Sequence, residues 1–320
     1  MRILSQITTL LTKRNRIMSN TNKTLIVITG PTAVGKTSIS IEVAKELNTE
    51  IISADARQFY RELKIGTAAP SEEELNKIKH HFIGRLSIEQ YYNAYIFENE
   101  ALKVIDDLFA SKDYVVLTGG SGLYIDAVCK GIDYIPDVSA KTRSEVKEIY
   151  HEGGLAELRK ILQRIDPDYY VKVDLANPKR IMRAIEIYME TGRKLSQYHA
   201  ESTSKQRPFK IINFILNRPR EELFDRINKR ACEMIQMGLV EEAWRMFKYR
   251  HYNALNTVGY KELFAFFRNV YPLSLAVEKI KTNTRRYAKR QLTWFKKYDD
   301  AIWLHPTEKE KIIKTIEKDV

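Results

Sequence analysis

Cysteine is scarce: 320 residues contain only Cys129 and Cys232, far apart and without C-x-x-C spacing. That argues against a disulfide framework or a zinc site and fits a reducing compartment. No run approaches the length of a membrane-spanning helix, so no membrane partner is expected. Neither an internal repeat nor an extended low-complexity segment is visible. Acidic residues are missing from two stretches, 1–23 and 281–297. What remains is ordinary globular composition, 44% apolar and 29% charged, enough for one large or two modest domains. The formal net charge of +12 points to a polyanionic partner.

The acid-free leader holds Arg2, Lys13, Arg14, Arg16 and Lys23, a composition resembling a transit peptide. A start at Met18 is the plainer alternative, and residues 1–22 are read as a basic extension, disordered or not translated.

A phosphate-binding loop follows the apolar run Leu25–Ile28. Gly30-Pro31-Thr32-Ala33-Val34-Gly35-Lys36-Thr37 matches G-x-x-x-x-G-K-[ST] in full, with strand-like sequence before it and helix-like sequence after. Backbone N–H groups of such a loop converge on phosphate oxygens, aided by the helix dipole. Lys36 adds a point charge, and the Thr37 hydroxyl is the expected Mg²⁺ ligand. A nucleotide hydrolase also needs an apolar strand ending in Asp. The later strand candidate, Tyr114–Leu117, runs into Thr118-Gly119-Gly120-Ser121-Gly122 instead. The nearest useful carboxylate is Asp55, after the strand-like Ile51–Ala54. A lone Asp there also suits a helix N-cap. At the carboxyl end of a parallel strand it would face the phosphate loop across one crevice.

Strands at 25–29, 51–54 and 114–118 alternate with helices at 36–47 and 97–109, which predicts a parallel, three-layer α/β core. From 139 to 204 the pattern is helical, broken at Gly153-Gly154 and Asp166-Pro167. Asn177-Pro178 reads as an N-cap and first helical residue, with Gly192 as the stop. This stretch is expected to be a helical insertion between core segments 23–138 and 205–320, with 202–207 as the return linker. A strand at 211–216 then rejoins the sheet, and helices are expected from near Arg220, Gly259 and Thr282.

Arg226 and Arg230 share one helix face, with Leu223, Ile227 and Met234 opposite. Paired guanidinium groups could clamp a pyrophosphate; a solvated face paired with Glu222 or Asp225 is the other reading. Residues 281–297 carry seven basic side chains. Helical spacing turns Ala288, Leu292 and Phe295 inward and Arg285, Arg286, Lys289 and Arg290 outward, a stripe suited to nucleic-acid phosphates. Tyr287 and Trp294 could stack or simply pack.

Together these motifs resemble the tRNA dimethylallyltransferases (tRNA isopentenyltransferases) of bacterial type, from Leu25 to His305. The resemblance rests on GPTAVGKT at 30–37, SADARQFY at 53–60, GTAAP at 66–70, GGSGLYI at 119–125 and NPKRIMRAIEIYMETGRKLS at 177–196. GLVEE at 238–242, VGYKE at 258–262 and TRRYAKRQLTWF at 284–295 complete the ordered set. It implies a P-loop NTPase-like parallel sheet flanked by helices, with a helical insertion domain. It also implies a cytoplasmic, monomeric transferase using Mg²⁺. Such an enzyme moves a dimethylallyl group from dimethylallyl diphosphate to N6 of the adenosine immediately 3′ of the tRNA anticodon. Asp55 then resembles the general base, with Lys36 and Arg230 as the other catalytic groups. Gly30, Thr32, Ala33, Val34, Gly35, Lys36 and Thr37 resemble the diphosphate cradle, and Arg226 and Arg230 flank the leaving group.

For tRNA, Asp55, Ala56, Arg57 and Gln58 resemble the loop that reads the target base. Lys179, Arg180, Ile181, Met182 and Arg183 resemble one contact surface, and Asn256, Gly259, Tyr260 and Lys261 another. Arg286, Lys289, Arg290, Gln291, Trp294 and Lys296 resemble a third. Ser121 stands where the family often has Thr, and Arg143 matches a further contact. Ala56 replaces a common Ser, Phe59 replaces a smaller apolar residue, and the eukaryotic members' zinc finger is absent. The alternatives are a P-loop small-molecule kinase and a non-catalytic RNA-binding protein with a vestigial phosphate loop.

Overall fold

A computed structural model describes residues 23–200 and 205–318. The expected basic extension at 1–22 and residues 201–204 of the expected linker lie outside the described residues. The chain divides into two compact units, one formed up to Cys129 and again from Gln206 onward, the other by Lys130–Lys205. The helical unit therefore begins before the expected boundary at 139.

The larger unit is mixed α/β. Among the described residues its sheet has six strands: β1 Thr24–Thr29, β2 Ile51–Ser53, β3 His80–His81, β4 Tyr114–Gly119, β5 Lys210–Leu216 and β6 Ile302–Leu304. Their order is β3-β2-β4-β1-β5-β6, and every neighbouring pair is parallel. β1 lies in the middle, with Leu25 opposite Val115 of β4 on one side and Ile211 of β5 on the other. It is buried along its whole length, as expected of a parallel strand covered on both faces. Alternation splits its side chains between two apolar layers. Leu25 and Val27 pack with Ile52, Phe97, Val115 and Phe295. Ile26 and Ile28 pack with Ile39, Val43, Val116, Phe214 and Ala288. Because the strands are parallel, the segments leaving β1, β2 and β4 emerge at one edge, where the order turns from β4 to β5 around β1.

The helices of this unit begin with α1 (Lys36–Glu46), α2 (Glu72–Lys77), α3 (Ala94–Phe109) and α4 (Gly122–Lys130). In the helical unit, α5 (Ala140–Ile165), α6 (Pro167–Tyr170), α7 (Pro178–Thr191) and α8 (Leu195–Ala200) pack around Val146, Leu158, Leu162, Ile181 and Ile185. α5 is kinked at Gly154, whose φ is +63°. α7 has the expected ends: Asn177 accepts from Arg180 N–H, Pro178 is the first helical residue, and Gly192 at φ +71° stops it. Asp166 knits the unit together, accepting from Tyr169 N–H at 3.1 Å and Ser196 N–H at 2.9 Å.

Back in the larger unit come α9 (Arg220–Gln236), α10 (Leu239–Met246), α11 (Tyr260–Phe267), α12 (Leu273–Phe295) and α13 (Lys309–Lys318). α12 starts well before the expected Thr282. Its first half buries Ala276 and Ile280 in a satellite core with Leu239, Ala243, Tyr260 and Leu263. Its second half places Ala288 in the layer of Ile26 and Ile28 and Phe295 in the layer of Leu25 and Val27.

Candidate active site

Chain geometry at the end of β1 sets the phosphate loop. Gly30 has φ +148°, and a Cβ there would lie 2.4 Å from the Leu216 carbonyl oxygen, so a side chain would force β1 and β5 apart. Gly35 (φ +110°) leads into α1. Lys36 Nζ reaches back across the loop and donates to the Gly30 and Pro31 carbonyls at 3.0 and 2.9 Å. Arginines brace the loop's other carbonyls: Arg226 Nε donates to Ala33 O and Arg218 Nε to Val34 O, each at 2.8 Å. Neither Glu222 nor Asp225 takes Arg226 as an ion-pair partner, since Glu222 pairs with Arg218 and His305.

Asp55 leaves the end of β2 and accepts from Arg57 N–H at 3.0 Å through Oδ1. It therefore closes a tight local turn rather than capping a helix. The neighbouring turn after β4 supports this segment, because Ser121 Oγ accepts from Ala56 N–H at 2.9 Å. Thr118, at the end of β4, donates to Ile28 O at 2.9 Å and accepts from Ser40 of α1 at 2.8 Å. That link ties β4 to the phosphate-loop helix.

These elements line one cleft of about 510 Å³. Thr32, Lys36 and Thr37 contribute from the loop, Asp55 and Gln58 from the segment after β2, and Arg226 and Arg230 from α9. Tyr287 of α12 and the Thr67-Ala68 turn close it. Electrostatics confirm the proximity. Burial lowers Lys36 from 10.5 to about 8; Asp55 opposes the shift and Arg230 adds to it. Burial likewise lowers Arg230, against the attraction of Asp55. The Tyr287 hydroxyl is pushed up by burial and by the Asp55 charge. Asp55, Glu74 and Glu233 all line this cleft, and Asp55 is the carboxylate that acts on both Lys36 and Arg230. Such a site suits a polyphosphate anion on one side and proton abstraction on the other.

A sequence profile described as IPP transferase matches residues 58–298. The chain belongs to the IPP transferase family. It is 48% identical over 290 residues to a protein named tRNA dimethylallyltransferase 1 from Bacteroides thetaiotaomicron, covering 91% of this chain and 94% of that one. Among solved structures it resembles the tRNA isopentenylpyrophosphate transferase of Staphylococcus epidermidis. There the identity is 34%, the TM-score 0.67, and the match covers 93% of this chain and 100% of that one. A eukaryotic dimethylallyltransferase acting on tRNA is similar at 26% identity and TM-score 0.72, over 89% of this chain and 74% of that one. The parallel α/β sheet is thus the one expected of the family.

Lys179, Arg180, Asn256, Lys261, Arg286, Lys289, Arg290 and Lys296, expected by family resemblance to meet RNA, are exposed. Arg143 and Arg183 are half-buried beside Glu186, and Arg183 also donates to the Pro136 carbonyl. Four expectations need correction, the first being Gly259, which is buried where α11 begins. Ile181 is fully buried in the helical core, on the inward face of α7. Tyr260 is fully buried and donates its hydroxyl to Glu242 at 2.6 Å. Gln291 is 5% exposed and bridges the site internally: its Oε1 accepts from Thr32 N–H and its Nε2 donates to Gly120 O, both at 2.8 Å. Ile181 and Tyr260 have no surface to offer, and Gln291 offers only the little it presents to the cleft. Trp294 is half-buried, with Nε1 donating to Asp126 at 3.0 Å. Arg285 turns sideways, donating to Asn228 of α9 at 2.5 Å.

Sequence reasoning missed Arg218 and Glu242. Only the fold brings Arg218, just past β5, onto the phosphate loop. The GLVEE motif contains Glu242, and nothing in its spacing marks a buried carboxylate.

Proposed function

We propose that this protein transfers the dimethylallyl group of dimethylallyl diphosphate to N6 of the adenosine immediately 3′ of the anticodon in tRNA, releasing pyrophosphate. The observation that carries this is Asp55, a carboxylate that acts on both Lys36 and Arg230 in the cleft of the phosphate loop. The donor diphosphate lies in the loop from Thr32 to Thr37, with its charge balanced by Lys36 and Arg230. The adenine N6 attacks the allylic carbon as the C–O bond to diphosphate breaks. Asp55 takes the N6 proton, and the bond electrons leave with pyrophosphate. Preorganised cations facing the leaving group favour the transition state, where its negative charge is growing.

Among the described residues no group of three His, Cys, Asp or Glu side chains could form a metal cage. Mg²⁺ needs none, since it keeps waters and shares phosphate oxygens with one or two protein ligands. The Thr37 hydroxyl in the cleft fits that role. Bound there, the ion would neutralise charge on the diphosphate.

The exposed basic side chains of α12, with Lys179 and Arg180 of the helical unit, are the proposed tRNA contacts. An anticodon-loop adenine is cheaper to extract than a paired one. Among the described residues no helix is long and apolar enough to cross a membrane. The protein is proposed to act in the cytoplasm as a monomer. A small-molecule kinase would leave the basic stripe without a use, and β4 ends in Thr118-Gly119 rather than a metal-holding Asp.

The test is mass spectrometry of nucleosides after incubating unmodified anticodon stem-loop RNA with the protein, Mg²⁺ and dimethylallyl diphosphate. A gain of one C5H8 unit on adenosine, lost in Asp55→Ala, is expected. ATP consumption without that gain would favour the kinase, and tight RNA binding without either would favour a binding protein.

A further inference from the structure

A carboxylate with no part in the chemistry above occupies a site built like an anion pocket. Glu242, in the first turn of α10, is only 5% exposed. Its Oε2 accepts from the N–H groups of Lys64 and Ile65 at 3.0 and 2.9 Å. Its Oε1 accepts from Gly66 N–H at 2.9 Å and from the Tyr260 hydroxyl at 2.6 Å. Three successive backbone donors converging on one anion form a nest, and here the protein's own side chain fills it. Gly66 makes the approach possible: a Cβ there would lie 2.6–2.7 Å from the Tyr260 ring and hydroxyl.

The turn held this way continues into the cleft. Thr67 and Ala68 present their carbonyls to Gln58 Nε2 at 3.2 and 3.0 Å. Arg230 also leans on Ala68 O, at 3.5 Å. Ala68 itself sits at φ +49°, a left-handed conformation that surrounding contacts must sustain in a non-glycine residue. Glu242 thus lies one step behind two cleft side chains that rest on the same carbonyl.

We propose that Glu242 is a positioning residue: its carboxylate clamps the Lys64–Gly66 turn and so fixes the Ala68 carbonyl that aims Arg230 and Gln58. This rests on the transfer reaction proposed above. Glu242→Gln would put an amide N–H₂ among four donors, so the turn must shift to relieve the clash. Misplacing catalytic groups by about 1 Å can slow a reaction by about 100-fold.

The test is the single-turnover transfer rate, which does not depend on how much enzyme is folded, together with pyrophosphate binding by calorimetry. Glu242→Gln is expected to slow transfer about 10- to 100-fold and to weaken pyrophosphate binding, with anticodon stem-loop affinity within about twofold. In a background already carrying Arg230→Ala and Gln58→Ala, the same substitution should slow transfer less than about threefold, because its targets are gone. An equal slowing in both backgrounds, or none in either, would overturn the proposal. If Glu242→Gln does not fold, Tyr260→Phe removes one of the four donors and carries the test, with a slowing of about three- to tenfold expected and a rate equal to the unsubstituted protein refuting it. Should the unsubstituted protein transfer nothing, the function is wrong, and pyrophosphate binding alone decides the clamp.

Discussion

Raising the pH from 7 to 9 should weaken donor binding, and the reason lies in Lys36. Burial, reinforced by Arg230, lowers its pKa to about 8 in the free protein, despite the pull of Asp55. A diphosphate beside it favours the charged form and raises that pKa, so binding takes up a proton. About nine-tenths of Lys36 is protonated at pH 7 and about one-tenth at pH 9. Affinity should therefore fall about tenfold across that interval, or about 1.4 kcal/mol. Titration calorimetry with a non-reactive thio-analogue of dimethylallyl diphosphate suits the test, because its own last ionisation lies near pH 6. Repeating it at pH 8 in buffers of different ionisation enthalpy should reveal uptake of about half a proton per donor bound. Lys36→Arg, charged throughout, should show a flat profile and no uptake. Equal affinity at pH 7 and pH 9 would refute the reasoning, since Lys36 would then not meet the diphosphate as a depressed lysine.

Asp55→Asn removes the proton acceptor while keeping the side-chain volume, so transfer measured at saturating substrates should drop by about 10²- to 10⁴-fold with stem-loop affinity held within a few fold. A large loss of RNA binding would mean that Asp55 serves the loop structure instead. Arg286→Glu with Arg290→Glu should weaken stem-loop binding and shallow its log–log salt slope by roughly 0.7–0.9 for each phosphate that no longer meets a cation. An unchanged slope in a filter-binding series would show that this face of α12 meets something else. Gly119→Ala would set a methyl group 2.3 Å from the Ala54 carbonyl, immediately before Asp55. Both thermal stability and transfer should fall, whereas wild-type melting and rate would show that the β2–β4 ends can spread without cost.

Local signals are strong where one short segment carries a whole physical requirement. The phosphate loop needs its glycines and lysine at set spacing, and the ends of α7 need Asn177, Pro178 and Gly192; all are visible by eye and hold in the fold. Apolar runs at β1 and β4 are equally plain, since strands buried on both faces have few polar positions to blur them, and β5 shows through despite Asn213. β6, three residues long with Trp303 partly exposed, carries too little pattern to be read. α12 starts earlier than its pattern suggests because its first half buries only Ala276 and Ile280, a thin stripe against a satellite core rather than the main sheet.

Placing Asp55 opposite Lys36 needs only the rule that parallel strands bring their carboxyl ends together, so the chemistry of the cleft is largely written in the chain. Family resemblance carried a tRNA-contacting role onto Ile181, Tyr260 and Gln291, because it matched whole motif segments rather than single exposed side chains. Which side of a helix faces inward at a given turn depends on what packs there, and that comes from segments far along the chain. Gln291 meets Thr32, and Glu242 meets Lys64 to Gly66, across separations that no local periodicity encodes. The order of residues alone settles the loop, its lysine, the strand before it and the class of ligand they suit. Packing settles which buried side chains brace that site, because burial and hydrogen-bond partnership belong to the folded chain and not to any one segment.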